Sequence, residues 1–149
     1  NADGADIRLV TDKPLISHYV WRDPKHILIH RERYYLYRDD GSGRETLVLE
    51  APNGHQSYLP GGQWLLTDTY PLGERREQEV YLYHIPTRRR VVVGRFATPK
   101  EYDGEWRVDT HPRLSPDGTK VVIDSAHGGE GRQMHLIDIS GILGQVPFR

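Results

Sequence analysis

Apolar residues in this chain come in short runs, each closed by a turn-forming segment. Ile27-Leu28-Ile29, Trp64-Leu65-Leu66 and Val121-Val122-Ile123 are followed by longer runs at 34–37, 80–85 and 133–139, with two more at 45–49 and 90–93. The runs are β-branched or bulky and too short for amphipathic helices, so they read as buried strands. Turn chemistry separates them. Pro60-Gly61-Gly62 and Pro116-Asp117-Gly118 combine a fixed φ with a residue that tolerates positive φ.

The turns keep a common phase. Residues 55–68, HQSYLPGGQWLLTD, align with residues 111–124, HPRLSPDGTKVVID. Each has a His, an apolar residue three positions on, a Pro, a Gly turn and an apolar run. An Asp (Asp68, Asp124) then lies thirteen residues after the His. HYVWRDPKHILIH at 18–30 is a shorter copy that keeps His18, Trp21 and the apolar run. A repeated hairpin with a third and a fourth strand per unit predicts an all-β chain of β-propeller blades, each of four antiparallel strands. About three blades are expected, over residues 14–51, 52–97 and 107–141. The third lacks a fourth strand, and residues 6–10 form a strand candidate without a hairpin of its own. Three blades fall short of the four to eight that close a ring. The expectation is therefore either a piece of a longer propeller or a homodimer joined head to tail, with residues 1–13 completing another blade.

Composition narrows the function classes. Twenty basic against 21 acidic residues give a net charge of -1, which provides no field for nucleic acid. No run approaches the roughly 20 apolar residues of a membrane span. The first ten residues lack the regions of a signal peptide. Cysteine is absent, which excludes disulfides, thiolate metal sites and a cysteine nucleophile. A periplasmic or extracellular location is compatible with that composition, and the cytoplasm is not excluded by it. No G-x-S-x-G, P-loop or H-E-x-x-H motif occurs.

The repeat histidines are the leading chemical candidates. His18, His55 and His111 open equivalent hairpins and would arrive at equivalent positions around a propeller axis, where imidazoles can share a divalent cation. The alternative is structural, each ring bonding its own blade. Around His111, the stretch Glu105-Trp106-Arg107-Val108-Asp109-Thr110-His111 alternates. If extended, it turns Glu105, Arg107, Asp109 and His111 to one face. Asp109 and His111 can then bind one metal, and Arg107 can neutralise a substrate carboxylate. Solvated charges on an edge segment are the alternative. Tyr70 and His127 begin loops at one end of the repeat and are candidates for substrate contact. Asp68 and Asp124 read as loop ties, and His26, His30, His84 and His135 as packing or surface residues.

The hairpin HPRLSPDG at 111–118 resembles TolB-like propeller repeats. Together with ISHYVW at 16–21, NGH at 53–55 and DTHP at 109–112, it is similar to the C-terminal blades of oligogalacturonate lyase-like propellers. The resemblance covers roughly residues 14–140. It implies β-elimination on acidic oligosaccharides with Mn2+ in the channel, and His55 and His111 as metal ligands. Asp109 stands where that family has a further histidine. The family's glutamine falls near Trp106, so Glu105 or Gln56 would substitute for it. His18 corresponds to a channel histidine and joins Arg107 as a candidate catalytic residue. A non-catalytic TolB-like scaffold binding a protein or glycan is the alternative reading.

Overall fold

A computed structural model of the chain describes residues 3–5 and 7–143. The chain forms two compact units, one up to Asn53 and one from Gly54 onward.

The first unit is one antiparallel sheet whose strands follow in sequence order: β1 (Tyr19–Asp23), β2 (His26–His30), β3 (Tyr34–Arg38) and β4 (Glu45–Leu49). The β1–β2 turn is held by Asp23, whose carboxylate accepts the Lys25 N–H at 2.9 Å. The β3–β4 turn uses Gly41 and Gly43 at φ 72° and 65°, a backbone region that glycine enters without a Cβ penalty. Ile27, Ile29 and Tyr37 form the core of one face, with Val10 and Tyr35 packed against it. Residues 7–10 are irregular, and Val10 alone of them is half-buried. Asp6, which opened the strand expected there, lies outside the described residues.

The second unit holds two sheets. One runs β5 (Ser57–Tyr58), β6 (Trp64–Asp68), β7 (Glu77–His84) and β8 (Arg89–Ala97). The other runs β9 (Arg113–Leu114), β10 (Lys120–Ser125) and β11 (Gln133–Asp138). Alternation sends Trp64 and Leu66 of β6, Val80 and Leu82 of β7, and Val121 and Ile123 of β10 into one core, completed by Leu59 and Ile139. Burying each Val, Leu or Ile there contributes about 1.5–3 kcal/mol, so the two sheets are locked face to face by several such residues. The turns behave as expected from their residues. Gly61 and Gly62 adopt φ 86° and 67°, and Gly118 adopts φ 74°. The Asp117 carboxylate accepts the Ser115 hydroxyl and the Thr119 N–H, which hold its pKa down to about 2. After β11 the chain makes one helical turn, Ser140–Leu143. The remaining residues, 144–149, lie outside the described set.

Almost everything regular is therefore antiparallel sheet, in blades of four, four and three strands. Three such sheets form no closed ring. No described helix is long and apolar enough to cross a membrane.

Candidate metal centre

The β5–β6 pairing sets Ser57 opposite Leu66 and Tyr58 opposite Leu65. Continuing that register by two residues puts His55 opposite Asp68, which explains the thirteen-residue spacing. Asp68 is 1% exposed and accepts the His55 backbone N–H at 2.6 Å. Its carboxylate also meets His55 Nδ1 at 3.0 Å and accepts the Thr110 hydroxyl. Burial opposes the charge on Asp68. The hydrogen bond and charge of His55, with the Thr110 hydroxyl, nonetheless hold its pKa below the usual carboxylate value. With Nδ1–H donated to Asp68, Nε2 is the nitrogen through which His55 can ligate a metal, as in carboxylate–histidine–metal triads. Gly54 makes this approach possible. A Cβ there would lie 2.1 Å from the Asp68 carbonyl oxygen and 2.8 Å from Thr67 Oγ1.

The segment before β9 is clamped onto β7 by Gln78, which is buried. Its Nε2 donates to the Val108 carbonyl at 2.6 Å and to Thr98 Oγ1 at 2.8 Å, while its Oε1 accepts the Thr110 N–H at 3.0 Å. Thr110 in turn holds Asp68. Asp109 and His111, its neighbours in sequence, are thereby brought to His55. Ligand atoms of His55, Asp109 and His111 all lie within 4.8 Å of one another. The two imidazoles stack with centroids 3.6 Å apart. His111 has φ 40°, unusual for a residue with a Cβ, and such strain concentrates at functional positions. Burial and the nearby His55 lower the pKa of His111, against an opposing pull from Asp109. Its lone pair is therefore retained to lower pH.

Asp109 Oδ1 is buried and makes no aligned hydrogen bond, although Arg107 Nε lies 2.7 Å away as an ion pair. A buried carboxylate oxygen with spare lone pairs beside two imidazoles suits a divalent cation that accepts nitrogen and oxygen donors. Arg107 also lies over the Tyr70 ring, 4.9 Å from its centroid, and Tyr70 meets His55 edge-on at 5.8 Å. Burial, then the Asp109 charge, raise the Tyr70 pKa. His111 further lines a cleft of about 320 Å³ with Arg113, Asp124, Arg132 and Met134.

Of the residues singled out from sequence, the fold thus gathers His55, Asp109, His111, Arg107 and Tyr70. Glu105 is not in the group. Gly104–Trp106 is a one-turn 3-10 helix entered through Gly104 at φ 55°, so the extended alternation begins after Glu105, whose side chain is exposed. Gln56 is buried, with both amide atoms lacking a hydrogen-bond partner. His18 belongs to the first unit, where its Nδ1 contacts Asn53 Oδ1 at 2.9 Å and Ser17 Oγ at 3.2 Å. His127 packs edge-on to Phe96 and against His135. Asp124 does not repeat the role of Asp68. The β9–β10 register sets it opposite His111, but its carboxylate pairs with Arg132. Asp68, read from sequence as a loop tie, does tie the His55 and Thr110 segments and in addition fixes the His55 ring. Its spacing from His55 was the available signal.

No protein-family model matches the sequence, and no curated protein matches it. Among solved structures, the chain is similar to TolB from Acinetobacter baumannii (22% identity, TM-score 0.61, covering 83% of this chain and 29% of that one). It is also similar to an oligogalacturonate lyase from Vibrio parahaemolyticus (14% identity, TM-score 0.66, covering 92% of this chain and 40% of that one). An oligogalacturonate lyase in complex with manganese superposes at a TM-score of 0.43 with 16% identity, covering 83% of this chain and 48% of that one. The chain spans less than half the length of each of these proteins. At these identities the likeness establishes a fold: this chain is built of β-propeller blades like those of TolB and oligogalacturonate lyase.

Proposed function

We propose that the chain supplies the metal-bearing blades of a lyase that cleaves acidic oligosaccharides, such as oligogalacturonate, by β-elimination. The observation that carries this reading is the convergence of His55, Asp109 and His111, with Asp68 fixing the His55 ring from behind. Two imidazoles and a carboxylate fit Mn2+ as the bound ion. When bound, such an ion withdraws charge from a uronate carboxylate and stabilises the negative charge that develops beside it. Arg107, half-exposed at the edge of the group, pairs with a second carboxylate of the substrate. Tyr70 holds the Arg107 guanidinium in place through its ring face. Arg113, beside the Arg132–Asp124 ion pair, leaves the adjoining cleft a net positive charge suited to an acidic chain. His18 is the remaining catalytic candidate, and further blades, from a longer chain or a second copy, complete the channel. A location outside the cytoplasm is part of the same proposal.

The test is a double substitution, His55→Ala with His111→Ala, in the protein carrying this chain. Loss of Mn2+ binding, together with loss of the ultraviolet absorbance of the unsaturated product, supports the assignment. Retained metal affinity with an unchanged β-sheet circular-dichroism spectrum overturns it.

A second reading, a non-catalytic propeller that binds a protein or glycan, draws on the tie between His55 and its own blade through Asp68. It predicts ligand binding that a chelator leaves unchanged.

A further inference from the structure

His127 and His135 form a second histidine pair that the lyase reading does not use. His135 lies on β11 opposite Ile123, and its Nε2 is buried without a hydrogen-bond partner. A ligand that bound this nitrogen would satisfy a buried polar atom that the fold leaves unpaired. His127 follows β10 and stands over the same spot. Its ring is 4.5 Å from that of His135, tilted by 49°, and meets Phe96 edge-on at 5.2 Å. Ser125 Oγ contacts both the His127 N–H and Nδ1, at 3.2 and 2.9 Å. With Nδ1–H donated to that hydroxyl, Nε2 carries the lone pair. Partial desolvation and the nearby His135 lower the pKa of His127.

We propose that His127 and His135 together bind a transition-metal ion that favours imidazole donors, of the Ni2+ or Cu2+ class. The ring centroids are 4.5 Å apart, a separation that one ion can bridge through a nitrogen of each ring, and imidazole donors suit ions of that class. No carboxylate joins the pair among the described three-residue metal groups. That leaves an all-imidazole donor set, softer than that of His55, Asp109 and His111, and water for the remaining positions. The two sites share no residue, so this inference stands or falls apart from the lyase reading.

The test is a Ni2+ titration of the intact chain, followed by calorimetry and by the ring resonances of the histidines. Paramagnetic broadening of His127, His135 and Phe96 is expected at substoichiometric Ni2+. His127→Asn and His135→Phe should each weaken that site by about tenfold or more, since each removes one of its two ligands. His127 is exposed, so H127N keeps the fold and decides the question even if H135F does not. Affinity within about twofold of the parent in H127N overturns the proposal, as does broadening confined to His55 and His111.

Discussion

Replacing Asp68 by Asn keeps its size and removes its charge. Three donors converge on the carboxylate: the His55 backbone N–H, His55 Nδ1–H and the Thr110 hydroxyl. An amide offers one oxygen where the carboxylate offers two, so at least one donor is left facing an NH2 group. Orphaning a buried donor costs about 1–3 kcal/mol of stability. The effect on the metal is separate. Without a carboxylate behind it, His55 no longer favours the tautomer that presents Nε2 as a lone pair. Losing such a supporting group weakens metal affinity about 10–100-fold, or about 1.4–2.7 kcal/mol. Thermal unfolding reads the first quantity and Mn2+ calorimetry the second. If Asp68→Asn lowers the midpoint but leaves Mn2+ affinity within about twofold, the carboxylate is a brace for the hairpin and its assigned role in orienting the ligand is wrong.

Gly54→Ala forces a Cβ to within 2.1 Å of the Asp68 carbonyl oxygen. It should cost about 1–3 kcal/mol in denaturant unfolding, the usual range for an overpacked site, and it should weaken Mn2+ binding by displacing His55. Unchanged stability would mean that the hairpin opens freely there. His30 is 4% exposed, and burial lowers its pKa, aided by the charge of His18 and opposed by the backbone at Ala51. The folded state then binds its proton later than the unfolded one on acidification. Stability should fall as pH drops below about 6.5 towards the lowered folded value, and level off beneath it. Thermal midpoints between pH 8 and 5 measure this. His30→Phe should flatten the fall, and an identical pH profile in that variant would refute the assignment to His30.

Much of this architecture was readable from spacing. In the turns at 60–62 and 116–118 the glycines adopt the positive φ that they favour, and the runs flanking each turn pair as hairpins. The His-to-Asp interval of thirteen residues is a register distance, opposite positions on two paired strands. Its chemical meaning was hidden because two partners from distant sequence create it. Thr110 closes over Asp68, and Gln78 clamps the segment that carries Thr110. Glu105 was misplaced because alternation assumes continuous extension, whereas the Asp103-Gly104 step bends into a 3-10 turn. His127 meets Phe96 edge-on because β8 runs on to Ala97, a contact that hairpin spacing alone does not reveal. In the first unit, pairing sets His30 opposite His18 through the His30 N–H to His18 carbonyl bond of 2.8 Å. The third copy thus carries an imidazole where the second carries a carboxylate.

The central claim is that His55, Asp109 and His111 hold one divalent ion. A calorimetric Mn2+ titration of the chelator-stripped chain, repeated with His55→Ala and His111→Ala combined, tests it most directly. The account predicts one Mn2+ site in the parent that disappears in the double variant, while the variant's β-sheet spectrum is retained. An undiminished Mn2+ site in the folded double variant, or no Mn2+ binding in the parent, would contradict it.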